Sequence, residues 1–399
     1  MPPLRLLTFS TLFPNDARPN HGVFVENRLR HLVASGEATS LVVAPVPWFP
    51  SAHPRFGDWA LNAKAVRQET RHGLTIHHPR FPVLPKIGMS IAPRLLYRAM
   101  VPVFARLLRE HGGFDAIDAH YIYPDGVAAV WLGRRFGLPV VATARGTDVS
   151  LIPNYPRPRK LIQGAIAHAD ALIGVSAAMK DALVALGAPE SKVTVLRNGV
   201  DTALFHPPAD RAAARAAVGF GERPALISVG HLIERKGHDR TIEAMTRLPE
   251  FDLAIFGDGP ERKALEAQIA RLGLGGRVRL MGTRPHAELP ALYGAADASV
   301  LSSSREGWAN VLLESMACGT PVVASNIWGN PEVVRTEAAG TITRENTPGG
   351  IAEGVRRLFA AAPSRAATRA YAEPFSWDET TAGQLRLFRE VVARRAGTG

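Results

Sequence analysis

The feature that most constrains this chain is a pattern repeated along most of its length: a short apolar run, a polar or glycine-bearing loop, then a segment with apolar residues at helical spacing. Parallel strands need a crossover long enough to hold a helix, so this alternation predicts parallel sheets covered by helices. The most informative instance is Ser304-Arg305-Glu306-Gly307-Trp308-Ala309-Asn310-Val311-Leu312-Leu313-Glu314, continuing as SMACGTPVVA to Ala324. Asp297 to Leu301 reads as a strand end and Pro321 to Ala324 as the next strand, with a loop and a helix between them. Glu306 and Glu314, eight residues apart, therefore bracket a helix N-terminus at the carboxyl edge of a sheet. Unpaired backbone N–H groups and the helix dipole favour an anion there. A carboxylate beside an anion site is a conflict unless the ligand also offers hydroxyls. A sugar carried on a nucleotide diphosphate offers both.

The same logic opens the chain. Leu4 to Phe9 is a strand, Asn20-His21-Gly22 lies in a loop, and Val23 to Val33 has helical spacing. Thr39 to Pro45 is a second strand, and residues 45–59 read as irregular. Further on, FDAIDAH ends a strand at His120, Asp125 to Phe136 is a helix, and PVVAT precedes Arg145-Gly146-Thr147-Asp148. PNYPRPRK reads as a polar, proline-rich loop before a helix ending at His168, and KVTVLRNGVD as a strand over 192–201. The glycine of Asn198-Gly199-Val200-Asp201 and the prolines of Phe205-His206-Pro207-Pro208 mark a domain boundary. The alternation then restarts with ALISVG, a helix from Asp239, DLAIFG and VRLMG. Three parts are expected: residues 1–200, residues 201–375, and a helix in 376–399 able to pack back on the first part. Each of the two larger parts is a doubly wound sheet.

At 399 residues the chain exceeds what one core usually supports. Its lone cysteine, Cys318, forbids an internal disulfide and fits a reducing compartment. No apolar run reaches the roughly 18 residues of a membrane span, and the start is too interrupted to read as a secretion signal. The net charge of +11 is uneven: residues 1–205 carry 23 basic and 14 acidic side chains, or +9, leaving +2 for the rest. A nucleic-acid partner is not expected, because no helix-turn-helix, zinc or aromatic RNA-binding signature accompanies that charge. Residues 80–109 hold Arg80, Lys86, Arg94, Arg98, Arg106 and Arg109 and no acid. The last four fall within a sector of roughly 120° at helical spacing. They form either a solvated basic face or a contact for anionic lipid head groups or an acidic acceptor.

HGVFVE, AHYIYPDG, TARGTDV, RNGVD, VGHLIERKGHD, FGDGP and EGWANVLLESMACGTPVVAS occur in order over nearly the whole chain. Together they resemble family 4 of the retaining glycosyltransferases, whose GT-B fold pairs two facing Rossmann-like domains across a cleft. YPDG with RGTDV is most similar to members that build bacterial cell-surface polysaccharides. The resemblance implies an acceptor-binding first domain and a nucleotide-sugar-binding second one. It assigns His120 to the neighbourhood of the reacting sugar, Glu306 to the donor-sugar hydroxyls and Glu314 to the ribose hydroxyls. Backbone amides of Gly307, Trp308, Ala309, Asn310 and Val311 would face the diphosphate. Lys236 would clamp the phosphates, and Gly22 would let the first domain's backbone approach them. Arg145 and Asp148 match acceptor-side positions. The family usually has an arginine where this chain has His231, which leaves open whether Arg235 completes the clamp.

The expected activity is transfer of a hexosyl unit from a UDP- or GDP-type sugar to a glycan or lipid-linked acceptor on the cytoplasmic face of the membrane. No metal is expected, since no DxD-type cluster or His/Cys ligand spacing occurs, and no cofactor beyond the nucleotide sugar itself. The rival readings are a GT-B epimerase or phosphorylase, and a non-catalytic two-domain sugar-binding protein.

Overall fold

The computed structural model describes residues 2–84 and 88–397, so Lys86 lies outside the described residues. The chain divides into two compact units, residues 1–198 with 378–399, and residues 199–377.

The first unit is built on an eight-stranded sheet. Its strands run in the order Val193–Val195, Ala171–Gly174, Val140–Ala144, Ala116–His120, Leu4–Phe9, Ala38–Val43, Leu74–His77, Gln68–Arg71. Seven strands are parallel and nearly all apolar, as befits strands covered on both faces. The last, Gln68–Arg71, runs antiparallel to Leu74–His77 and departs from the all-parallel expectation. His72 and Gly73 both have positive φ, 49° and 78°, and so form the tight turn such a hairpin requires. The stretch expected to be irregular contains a two-residue strand, Val46–Pro47, paired with Arg80–Phe81, and a helix, Asp58–Lys64.

Two other boundaries moved. Helix Pro156–His168 begins inside the segment expected to be a loop, because Pro156 occupies a first-turn position where no backbone N–H is needed. The strand expected over 192–201 keeps only Val193–Val195 and then runs on without regular secondary structure. The C-terminal helix Asp378–Ala396 belongs to the first unit. Leu385, Leu387, Phe388 and Val391 join Leu29, Leu32 and Leu196 in its core.

Helix Ala92–His111 buries Leu96, Met100, Phe104 and Leu107, one residue in three or four, against the sheet. Arg94, Arg98, Arg106 and Arg109 are exposed on its other side, while Leu95, Val101, Val103 and Leu108 are only partly covered.

The second unit has a six-stranded sheet in the order Val278–Gly282, Asp252–Phe256, Ala225–Val229, Ala298–Leu301, Val322–Ala324, Gly340–Ile342. All its pairings are parallel. Ile227, Leu253, Ile255, Val323 and Val355 are fully buried in its core. Cys318 is buried among these elements, and burial pushes its thiol up to about 12. In each unit the sheet reverses its strand order once. The reversal lies between Leu4–Phe9 and Ala116–His120 in the first, and between Ala225–Val229 and Ala298–Leu301 in the second. In open α/β sheets it is at the carboxyl ends of the strands beside such a reversal that ligands are taken.

Candidate functional site

In the second unit the reversal brings Gly230–Gly237 beside Ser302–Ala309. Lys236 Nζ donates to Glu306 Oε1 at 2.7 Å, and the Ser303 hydroxyl donates to the same oxygen at 2.7 Å. Arg235 lies 3.3 Å from Oε2 and also donates to the Arg305 carbonyl at 2.7 Å. The Glu306 side chain is only 9% exposed. Burial works to raise its pKa, but the charges of Lys236 and Arg235 outweigh it and hold the carboxyl below its ordinary value. Glu306 is thus ionised and faces two cations. Arg235 is the second cation beside Glu306, while His231 is exposed.

The two loops are locked together. Gly237 has φ 68°, and a Cβ there would fall 2.3 Å from the Ser302 carbonyl oxygen. Ser302 donates to the Gly237 carbonyl at 2.6 Å, and Asn346 donates to the carbonyls of Ser302 and Ser303 at 3.1 and 3.0 Å. Ser303 and Asn346 escaped the sequence reading. A serine and an asparagine in loops give no periodic signal. His238 is buried behind Lys236, and burial, aided by the Lys236 charge, holds its imidazole down at about 4.

Gly307, Trp308 and Ala309 are buried in the loop, and helix Asn310–Ala317 follows without a side-chain cap. Val311 lies in its first turn, and Glu314 is its fifth residue. One Glu314 oxygen lies 3.5 Å from His286 Nε2, and the other accepts from the Tyr293 hydroxyl at 3.3 Å. Phe205 meets His286 edge-on, with ring centroids 5.2 Å apart. Glu314 thus meets a group of rings, His286, Tyr293 and Phe205, drawn from separate segments of the chain.

In the first unit the reversal brings His120 and Ser10–Phe13 together. Asp118 and His120 project from the same face of their strand. His120 Nε2 lies 3.1 Å from Asp118 Oδ2, and Arg145 donates to His120 Nδ1 at 2.6 Å. A guanidinium can only donate, so Nδ1 carries the lone pair and the ring proton sits on Nε2, facing Asp118. Burial, reinforced by the charge of Arg145, holds His120 at about 4 and so keeps it neutral. Asp118 is held below its ordinary value by His120, Arg28 and Arg145, against the opposing effect of burial. Both ring nitrogens of His120 are engaged by protein.

Arg145 also donates to Asn198 Oδ1 at 3.3 Å, which the buried Arg28 shares at 3.3 Å. Arg28 is the largest fully buried side chain, although helical spacing alone gave it no special place. Asp148 is buried with its oxygens accepting from the amides of Ile122, Gly146 and Arg145 at 2.7 to 3.2 Å. It therefore fastens the 145–148 loop to the 120–126 turn, whereas the sequence placed it toward an acceptor. Gly22, at φ 77°, packs so tightly that a Cβ would lie 2.4 Å from the carbonyl carbon and oxygen of Leu12. Among the described residues no group of three or more His, Cys, Asp or Glu side chains is disposed to hold a metal ion.

Two Rossmann-like parallel-sheet units, each with its polar cluster at the strand-order reversal, define the GT-B class of fold. Solved structures of that class superpose on the chain. Sucrose-phosphate synthase from Thermosynechococcus elongatus does so with a TM-score of 0.79 and 20% identity, covering 98% of this chain and 100% of that one. Anabaena HepE in complex with UDP gives 0.74 and 20%, covering 97% and 100%. In sequence, residues 22–204 match Glycosyltransferase Family 4 and residues 210–374 match Glycosyl transferases group 1. D-inositol 3-phosphate glycosyltransferases from Salinispora tropica and Mycobacterium tuberculosis are 32% and 31% identical over 72% of this chain. The chain spans a little under two thirds of their length, 66% and 64%. The chain belongs to the family 4 glycosyltransferases.

Proposed function

We propose that the protein transfers a hexosyl unit from a nucleotide-diphosphate sugar to a saccharide or lipid-linked acceptor, with retention of anomeric configuration and without a metal. The observation that carries this reading is the Glu306 carboxylate held by Lys236, Arg235 and Ser303, eight residues ahead of Glu314. With donor bound, the two cations turn to the diphosphate and the freed carboxylate accepts the sugar hydroxyls. Glu314 exchanges Tyr293 and His286 for the ribose hydroxyls. The cations then stabilise the charge that builds on the leaving diphosphate as the glycosidic bond breaks.

No protein nucleophile is needed on this route. The departing phosphate takes the proton of the incoming hydroxyl on the same face of the sugar, so that catalysis consists of positioning and charge stabilisation. His120 is neutral, with both ring nitrogens engaged, and serves to hold Arg145 in place. Solved structures of one protein of this fold, Anabaena HepE, are named as complexes with UDP and with UDP-glucose, which makes UDP-hexoses the first donors to examine. The relatives named for D-inositol 3-phosphate add polyol phosphates to the acceptors worth examining beside cell-surface glycans.

The exposed arginines of helix Ala92–His111 lie close in sequence to exposed Leu84, Met89 and Ile91, a combination suited to an anionic membrane surface on its cytoplasmic side. Among the described residues no helix is long and apolar enough to cross a membrane. The test is a screen of UDP- and GDP-sugars for nucleotide release with and without acceptor, with and without chelator, followed by NMR of the product's anomeric configuration. The proposal predicts acceptor-dependent release that is indifferent to chelator and gives a retained anomer. If no nucleotide binds, a sugar-binding protein is the better reading; epimerised donor or phosphate-dependent glycan cleavage would mark the enzymatic rivals.

A further inference from the structure

Asp125 has no part in the chemistry set out above, yet it is buried at the strand-order reversal of the first unit, in the turn after strand Ala116–His120. It faces donors. The Thr11 amide donates to Oδ2 at 2.7 Å, and the Thr11 hydroxyl lies 3.0 Å from each carboxylate oxygen. The Ser10 hydroxyl lies 3.4 Å from Oδ2 and 3.2 Å from the His120 carbonyl oxygen, and accepts from the Leu12 amide at 3.0 Å. Residues 10–12 are therefore pinned from beneath by one carboxylate.

On its other side the same short segment is met by Gly22. A Cβ at Gly22 would stand 2.4 Å from Leu12 and 2.8 Å from the Phe13 nitrogen, and the His21 ring lies 3.1 Å from the Thr11 carbonyl. Any shift of residues 10–13 must move Gly22 with it. An acid buried this deeply is costly and is retained only where its hydrogen bonds are needed.

We propose that Asp125 is a positioning residue for the transfer reaction: through Thr11 and Ser10 it fixes the segment on which Gly22 rests, and so sets the backbone that receives the donor's diphosphate. This inference rests on the transferase reading above and on the phosphate-facing role that the family resemblance implies for Gly22. Support comes from the protonation chemistry. Burial pushes the Asp125 carboxyl up to about 7, with Asp148 as the charged neighbour acting in the same sense. Strand Leu4–Phe9 and its loop offer only hydroxyls and amides, and His120 offers its carbonyl; its ring is turned to Asp118 and Arg145. An ionised carboxylate matches three donors, whereas a proton on it competes with one of them. The segment is therefore held best above neutral pH and loosens below it.

The experiment compares full-length wild type, Asp125→Asn, Thr11→Val and the double variant, measuring donor KM and kcat between about pH 5.5 and 9. Asp125→Asn keeps the shape and one acceptor but loses the charge. It is expected to raise donor KM about tenfold with kcat within about threefold, and to flatten the decline of wild-type kcat/KM below neutral pH. Thr11→Val shifts KM the same way, and the double variant shows less than the product of the two effects because both act through one contact. A wild-type KM and an unaltered acid limb in either folded variant would overturn the inference. Should Asp125→Asn not fold, Thr11→Val decides alone. If Glu306→Ala loses transfer while these variants behave as wild type, only this inference fails; if wild type turns over no nucleotide sugar, the underlying reading fails with it.

Discussion

Replacing Gly22 by alanine tests the tightest contact in the first unit. Gly22 adopts φ 77°, ψ 24° at the head of helix Val23–Ala34. Holding a residue with a Cβ in that region costs about 1 kcal/mol. The added methyl would also stand 2.4 Å from the carbonyl carbon and oxygen of Leu12 and 2.8 Å from the Phe13 nitrogen. These are backbone atoms, and the Ser10–Leu12 and Thr11–Asp125 hydrogen bonds keep them from yielding. Overpacking of this kind adds about 1–3 kcal/mol, for a total of about 2–4 kcal/mol. The unit holds 198 plus 22, or 220, residues. For that size each kcal/mol lowers the midpoint by about 2–4 °C, so calorimetry is expected to show its transition lowered by roughly 10 °C. A displacement of the loop by about 1 Å also costs about 100-fold in kcat/KM. A Gly22→Ala variant with unchanged midpoint and turnover would refute both the packing and the role assigned to this glycine.

Two further outcomes follow from the charges. His238 is held at about 4 in the folded protein against 6.5 as a free side chain, so the unfolded chain binds its proton first as pH falls. Stability of the second unit is expected to drop by about 3 kcal/mol on this account between pH 7 and 4, and His238→Gln to remove that share of the slope in urea titrations; an unchanged slope would show that the ring is hydrated. The arginine face of helix Ala92–His111 predicts binding to vesicles containing anionic lipid but not to neutral ones, with release as salt is raised. Arg94→Glu with Arg98→Glu should weaken that binding at least tenfold, and equal binding by the double variant would discard the membrane contact.

Strand–helix alternation was legible because hydrophobic period is a local property, and the Asn198-Gly199-Val200-Asp201 turn falls where the chain passes from one unit to the other. The hairpin edge Gln68–His77 was legible in principle, through His72-Gly73, but its strands are short and polar and give little apolar signal. Pro156 and Pro158 read as loop because proline's tolerance of a helix's first turn depends on where that turn starts. Glu306, Glu314 and Lys236 could be named from spacing and resemblance. Their partners Ser303, Asn346, Tyr293 and Phe205 could not, since they are assembled from distant segments by the sheet's strand order. Asp118 did leave a trace, as an acid within the apolar strand AIDAH two residues before His120, on the same face. Asp148, which the resemblance implies on the acceptor side, has its carboxylate taken up by backbone amides, a partnership that spacing does not reveal.

On the proposed mechanism Glu306 meets the donor sugar while Lys236 meets the phosphates. Isothermal titration of wild type, Glu306→Ala and Lys236→Ala with UDP and GDP, read beside their transfer rates, tests it most directly. Glu306→Ala is expected to bind nucleotide within a few-fold of wild type yet lose transfer by at least 100-fold, and Lys236→Ala to weaken both. Full turnover in Glu306→Ala, or wild type that binds neither nucleotide, would contradict it.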